Sequence, residues 1–192
     1  METYNRILES AAELFANQGF EAVSMRDIAK ASHLKAPSLY NHFRDKNALY
    51  QSCLKFVFRQ HNAQLQAVFD SQVSYETQLR GVIQVSLKRM ADDQNFRLLI
   101  QRELLQNDQQ RLKFLAQEVM ADTCDQLEKI LKHLSPEADH HFIITSIMSL
   151  VLFHIQIAPM REFLPSGTSQ HLDIHYLSDQ IFQLIYQTLL PS

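Results

Sequence analysis

Apolar residues near the amino terminus recur with the spacing of a helix that buries one face. They lie at i, i+3, i+4 and i+7 positions, namely Tyr4, Ile7, Leu8, Ala11, Leu14 and Phe15. Thr3 is a candidate cap for this helix, and Gly19 suits the left-handed residue that follows a helix end. We therefore predict a first helix that ends near Asn17, with Phe20 folding back as an apolar contact.

The next residues predict two short helices joined by a tight turn. Ser24 is suited to cap a second helix, and Asp27 follows three positions later as in a capping box. A turn at residues 32–34 leads into a third helix over roughly residues 36–42. Pro37 falls in the first turn of that helix, where its missing N–H costs nothing. This layout is that of a helix-turn-helix, which places its second helix in the DNA major groove.

The third helix predicts an apolar side and a polar side. Leu39 and Phe43, four residues apart, bury one side, which leaves Ser38, Asn41 and His42 largely outside. Residues 30–44 contain three basic residues and no acidic one, although the net charge of the chain is −3. A local basic edge of this kind suits phosphate contacts.

The rest of the chain continues as predicted helices. Asp45 is suited to cap a fourth helix over roughly residues 46–69, and further helices are expected over 75–91, 95–106, 108–133, 136–158 and 169–190. Only three Gly and five Pro interrupt a chain that is 46% hydrophobic. We expect an all-α fold of about nine helices. A three-helix DNA-binding domain at residues 1–46 precedes a helical ligand-binding and dimerisation domain at residues 47–192.

Several other classes of protein are disfavoured. The segment 142–159 has no charged residue, but it is short for a membrane span and includes His154 and Gln156, so we predict a buried interface helix. No signal peptide precedes the first helix, and Cys53 and Cys124 are expected to be reduced thiols, so we predict a cytoplasmic protein.

No catalytic or metal-binding arrangement is predicted. His171 and His175 have a spacing that can chelate on a helix, but no Cys joins them, and surface histidines are the preferred interpretation. A Gly-rich phosphate loop, a nucleophile elbow and a supported Cys–His pair are all lacking from the sequence. We expect no enzyme activity, no cofactor and no metal.

About 45 residues resemble the DNA-binding domain of TetR-family (tetracycline-repressor-like) transcriptional regulators in order and spacing. The resemblance runs from Ile7 through Phe15, Gly19-Phe20, residues 24–29 and residues 39–43 to Lys46 and Leu49. It implies a homodimer of all-helical protomers that pair through their last two long helices. A small molecule bound in the body would release the dimer from a near-palindromic operator. His33 stands where the family usually has Gly, and Lys35 stands where it often has a capping Ser or Thr.

The resemblance and the helix-turn-helix layout together assign candidate DNA contacts. Residues near the start of the recognition helix would face bases, and Tyr40, His42 and Lys46 would contact phosphates. The complete set is Ser24, Met25, Arg26, Lys35, Ala36, Pro37, Ser38, Tyr40, Asn41, His42 and Lys46.

A ligand cavity is expected among the fifth to eighth helices. Met and Phe side chains give an adaptable apolar wall, and a few polar groups would orient the ligand. The candidates are Met90, Phe96, Ile100, Arg102, Glu103, Leu104, Phe114, Met120, Met148, Phe153, His154 and Gln156.

Two functions remain open at this point. The first is a ligand-responsive dimeric transcriptional regulator, most simply a repressor, whose partners are operator DNA, a small-molecule effector and a second copy of the chain. The alternative is a helical protein-interaction module that does not bind DNA. The exposed set Lys35, Tyr40, His42 and Lys46 favours the regulator, because an interaction surface has no need of it.

Overall fold

The computed structural model describes residues 2–190, apart from the side chain of Glu162, and these residues contain helices and no strand. Ten α-helical elements are present: α1 (Glu2–Gln18), α2 (Met25–Ala31), α3 (Ala36–Tyr40), α4 (Lys46–Phe69), α5 (Tyr75–Asp92), α6 (Gln94–Gln106), α7 (Gln109–Phe114), α8 (Ala121–Leu134), α9 (His140–Gln156) and α10 (Ile174–Gln187). A π-helical segment, Leu115–Met120, joins α7 to α8 without a break, so nine separate helices result. The all-α fold is confirmed.

Side-chain caps explain where most helices begin. Asp45 Oδ1 accepts the backbone N–H of Ala48 at 2.7 Å, which confirms the predicted start of α4. Asp139 and Asp173 cap α9 and α10 in the same way, so these helices begin later than the predicted residues 136 and 169. Thr3 is not a cap, because α1 already includes Glu2 and Thr3 lies inside its first turn.

The chain forms two compact units. The head unit contains residues 2–60 and 94–120, and the body unit contains residues 61–93 and 121–190. The predicted boundary after residue 46 separates a DNA-binding domain from a ligand-binding domain by function, and it stays a prediction. Packing groups the first fifteen residues of α4 and all of α6 and α7 with the helix-turn-helix.

The head unit is organised around α1. Its apolar stripe is buried, with Ile7, Ala11 and Phe15 all fully inaccessible, and α1 packs against both α2 and α6. The predicted amphipathic first helix is therefore confirmed, and its buried face continues into the core formed by Leu39 and Leu49.

The body unit is organised around α5. Helices α8, α9 and α10 pack against it, and Ile83 and Leu87 of α5 are fully buried. Gly81 lets α5 approach the last turns of α4, since a Cβ there would lie 2.9 Å from Val68 Cγ1. An ion pair between Arg80 and Asp179 adds a contact between α5 and α10.

Helix α9 is apolar on two faces. Ile143, Ile147 and Val151 are buried in the body unit, whereas Phe142 and Phe153 are 66% and 59% exposed. None of the helices found within residues 2–190 combines the length and the apolar character needed to cross a bilayer.

Candidate nucleic-acid interface

A reciprocal cap holds the start of α2. Ser24 Oγ accepts the backbone N–H of Asp27 at 3.2 Å, and Asp27 Oδ2 accepts the backbone N–H of Ser24 at 2.9 Å. The Ser24 hydroxyl also donates to Asp27 Oδ2, and these hydrogen bonds from Ser24 lower the pKa of the Asp27 carboxyl. The predicted capping box is confirmed, and it orients the first turn of α2.

The turn after α2 uses a left-handed residue that is not glycine. His33 has a φ of 56°, and Leu34 N–H donates to Ala29 O at 2.8 Å to close the turn. The Ser32 hydroxyl donates to Ile28 O at 2.7 Å. His33 thus takes the conformation for which glycine is usually chosen, at a strain cost of about 1 kcal/mol.

The recognition helix α3 is short. It ends at Tyr40, two residues earlier than predicted, because Asn41 is its C-cap and His42 lies in the following turn. Lys35 occupies the N-cap position without a side-chain hydrogen bond, so its ammonium is not used in capping. Leu39 is fully buried and Tyr40 is 53% exposed, which sets one face of α3 in the core and the other outside.

Tyr4 is an exposed neighbour of this surface that sequence reasoning placed in the core stripe. Its ring stacks on Phe43 with a centroid distance of 5.1 Å and meets the His42 ring edge-on at 6.3 Å. The helical spacing identified the stripe correctly, but it gave no sign that the first turn of α1 would lie beside His42.

The predicted DNA contacts differ in how much side chain they present. Met25 is only 8% exposed and packs in the core, and Ala36, Ser38 and Lys46 are half-buried. The remaining residues are exposed: Ser24, Arg26, Lys35, Pro37, Tyr40, Asn41 and His42. Their roles toward DNA stay predictions.

Lys46 already has partners in the free protein. Its Nζ donates to Phe20 O at 2.9 Å, lies 3.5 Å from Glu21 O, and sits 4.2 Å from the centroid of the Phe20 ring. Two backbone carbonyls and an aromatic ring thus hold the ammonium of a side chain that is half-buried.

A buried carboxylate lies at the centre of the head unit. Glu103 is 1% exposed; its Oε1 accepts the Tyr50 hydroxyl at 2.6 Å, and both carboxylate oxygens accept from Arg111 Nε at 3.1 and 3.2 Å. Burial, followed by the hydrogen bond to Glu103, raises the pKa of the Tyr50 hydroxyl far above its usual range. Sequence reasoning proposed Glu103 for a ligand pocket and did not single out Tyr50 or Arg111.

The predicted ligand-pocket residues are distributed over both units. Arg102 donates through Nε to Ala16 O at 2.6 Å, so it satisfies a carbonyl at the end of α1. Met90 and Phe96 are buried, whereas Leu104, Met148, Phe153 and Gln156 are exposed. The others are half-buried: Ile100, Phe114, Met120 and His154. Their assignment to a pocket stays a prediction.

The two histidines with chelating spacing face different partners. His171 Nδ1 accepts the backbone N–H of Thr168 at 3.1 Å, and His175 Nδ1 lies 3.3 Å from Gln84 Nε2. His171 belongs to a 3-10 turn and His175 to α10, so they do not share one helix. Across residues 2–190, no group of three or more His, Cys, Asp or Glu side chains is placed to hold a metal ion.

The geometry defines a class of protein, and sequence comparison finds a family similarity in the helix-turn-helix part of the chain. An amino-terminal helix-turn-helix on an all-helical chain is the architecture of helix-turn-helix regulators. Residues 7–53 match the sequence model of the bacterial regulatory proteins, tetR family. The head of this chain is therefore similar to the amino-terminal domain of the tetR family of bacterial regulatory proteins.

A curated relative is similar over a short segment of the chain. The chain is 35% identical over 54 residues to the biofilm operon icaADBC HTH-type negative transcriptional regulator IcaR of Staphylococcus aureus. That match covers 28% of this chain and 29% of the relative, so it spans less than a third of the relative's length.

Solved structures share the fold over nearly the whole chain. The regulator FadR from Bacillus subtilis, in complex with stearoyl-CoA, has a TM-score of 0.78 at 19% identity, covering 95% of this chain and 97% of that one. AibR, in complex with isovaleryl coenzyme A and operator DNA, has a TM-score of 0.74 at 20% identity, covering 96% and 98%. At these identities the likeness establishes the fold alone.

Proposed function

We propose that the protein is a dimeric transcriptional repressor that binds a near-palindromic operator and is released by a small molecule. The observation that carries this proposal is the helix-turn-helix itself. Its first helix is fixed by the Ser24–Asp27 capping box, and its second exposes Tyr40 beside Asn41 and His42. The family match over residues 7–53 supports the same function. A regulator of this kind carries out no catalysis and acts in the cytoplasm, where the bacterial DNA lies.

The dimer would form through α9 and α10. Phe142, Met148 and Phe153 of α9 and Leu184 of α10 are large apolar side chains that remain exposed in the single chain. Large apolar side chains left exposed on these two helices favour burial against a second copy. Two heads would then bind half-sites about 34–36 Å apart on one face of DNA.

Acyl-CoA thioesters are the first effectors to test. Stearoyl-CoA is bound by FadR and isovaleryl coenzyme A by AibR, and both proteins share the fold of this chain. An effector that favours the released state must lower the affinity for operator, and operator must lower the affinity for effector by the same factor.

The proposal is tested by selecting bound sequences from a random DNA library and measuring affinity for the selected operator by fluorescence anisotropy. Tyr40→Phe and Lys46→Met should each weaken binding on every operator variant, because they remove contacts to the phosphate backbone. Lys88→Met is the matched control, because Lys88 lies in the body unit and pairs with Asp92 at 2.7 Å. Failure to enrich any sequence at low salt would leave the protein-interaction module as the function.

Effector release has its own measurement. Each acyl-CoA is titrated into the preformed protein–DNA complex, and its affinity is then measured with and without operator. Equal coupling factors in the two directions support a ligand-responsive repressor. A chain that binds operator but responds to no member of the series would be a constitutive regulator or respond to another class of effector.

A further inference from the structure

We propose that Glu103 and Arg111 are positioning residues for the phosphate contact of Lys46, on which they act through Phe20. This inference rests on the proposed DNA-binding function. It concerns only the head unit, where all of these residues lie.

Phe20 is the common contact of the groups involved. The Lys46 ammonium lies 4.2 Å from its ring centroid, and the Arg111 guanidinium carbon lies 4.7 Å from the same centroid. The Tyr50 ring meets it edge-on with a centroid distance of 5.0 Å. A single aromatic side chain, itself buried, therefore touches the candidate phosphate contact and both hydrogen-bond partners of Glu103.

Glu103 fixes the two groups that hold Phe20. Its carboxylate accepts from the Tyr50 hydroxyl and from Arg111 Nε, and Glu103 is buried, so neither partner can exchange it for water at low cost. Arg111 also lies 3.6 Å from Asp108 and donates to Gln106 at 2.9 Å, which restrains the guanidinium plane over the Phe20 ring.

The position of Phe20 in turn decides where the Lys46 ammonium lies. The hydrogen bond from Lys46 Nζ runs to the backbone carbonyl of Phe20, so the backbone and the ring of one residue both hold the ammonium. A shift of Phe20 would move the ammonium relative to the first turn of α4, whose free N–H groups are the other candidate phosphate donors. The phosphate contact is thus built partly by α6 and α7, which contribute no predicted DNA contact.

The sign of the effect separates positioning from simple charge. Glu103→Gln removes a negative charge, and through the electrostatic field alone it would strengthen attraction to DNA. Positioning predicts the opposite, namely weaker binding. Arg111→Lys keeps the charge but loses the planar guanidinium and its Nε, so any change in DNA binding by this variant cannot come from net charge.

The experiment measures the Kd for operator DNA at salt concentrations from 50 to 300 mM. The proteins compared are the wild type, the single variants Lys46→Met, Glu103→Gln and Arg111→Lys, and the two double variants that combine Lys46→Met with Glu103→Gln or with Arg111→Lys. Losing one phosphate contact in each protomer of the dimer should reduce the slope of log Kd against log salt by about two in Lys46→Met. We expect Arg111→Lys and Glu103→Gln to raise Kd at 50 mM salt by up to the factor measured for Lys46→Met, and to reduce the same slope. In the double variants with Lys46→Met, neither Arg111→Lys nor Glu103→Gln should reduce the slope below that of Lys46→Met alone.

Two further variants keep the test informative. Tyr50→Phe removes only the hydroxyl and stands in for Glu103→Gln if loss of the buried carboxylate prevents folding, which a thermal melt detects. Glu118→Gln is the matched control, because Glu118 lies in the same unit and pairs with Lys55 at 3.3 Å on the exposed surface. It should leave the slope unchanged.

The outcomes are distinguishable. If wild type binds no DNA, the proposed function and this inference both fall. If Lys46→Met leaves the slope unchanged, DNA binding stands and the phosphate contact is wrong, which also overturns the inference. Two results would refute only the positioning role while Lys46→Met behaves as expected. In the first, Glu103→Gln and Arg111→Lys leave the slope unchanged. In the second, they lower the slope further when combined with Lys46→Met.

Discussion

Burial of His61 predicts an acid-sensitive stability that a single substitution should abolish. His61 lies in the body unit and is 9% exposed, and burial, followed by the nearby Arg89 guanidinium, lowers the pKa of its imidazole from 6.5 to about 4. The unfolded chain therefore takes up a proton at a higher pH than the folded chain does. Stability from this group is fully present above pH 6.5 and is lost as the pH falls toward 4.

The size of the effect follows from the two pKa values. Their separation of about 2.5 corresponds to about 3 kcal/mol of unfolding free energy, of which about 2.5 kcal/mol is lost by pH 4.5. That is a large share of the total stability of a typical domain. Other groups also titrate in this interval, so the informative quantity is the difference between wild type and a variant that lacks the imidazole.

The assay is urea unfolding of wild type and His61→Gln between pH 7.5 and 4.5, followed by far-UV circular dichroism at fixed protein concentration. Whatever the variant loses at pH 7.5, its disadvantage should shrink by about 2.5 kcal/mol at pH 4.5. His141→Gln, at an exposed position on α9, is the control and should run parallel to wild type. A His61→Gln curve that also runs parallel to wild type would show that folding does not keep the imidazole neutral.

Three backbone features give further predictions, each checked by urea unfolding. Ser24→Ala should cost about 1 kcal/mol through loss of the capping box, and no loss would mean that the cap is not made in solution. His33→Gly should gain about 0.5–1 kcal/mol, because φ of 56° strains a side chain, and destabilisation would argue against this turn. Gly19→Ala should lower the free energy of unfolding by about 1–2 kcal/mol, because φ is 83° and the added Cβ would lie 3.1 Å from Gln106 Nε2. An unchanged stability would contradict the packing of α6 against this turn.

Local signals made most of the head predictable. Gly19, Ser24 and Pro37 act on residues within one helical turn of themselves, so the end of α1, the start of α2 and the start of α3 could be derived from the sequence. The starts of α9 and α10 were predicted too early, at residues 136 and 169. Asp139 and Asp173 are the observed caps, so α9 begins at His140 and α10 at Ile174.

Long-range pairing explains what the sequence did not reveal about the candidate site. Arg102 and Glu103 were expected to orient a ligand as polar groups in an apolar cavity. Their observed partners, Ala16 and Tyr50, are 86 and 53 residues away in the chain. No periodicity or motif indicates such a pairing, and it emerges only when α6 packs against α1.

The division of the head unit into two sequence segments has a consequence for synthesis on the ribosome. Residues 2–60 emerge first, but Arg102 and Arg111, which secure the end of α1 and Phe20, follow only after the whole of α5 has been made. The helix-turn-helix therefore leaves the exit tunnel with Tyr50 and Phe20 lacking their later partners. A transplanted DNA-binding domain that ends at residue 46 would lack the contacts from Arg102 and Arg111 permanently, whereas a chimera that also carries residues 47–60 and 94–120 would keep them.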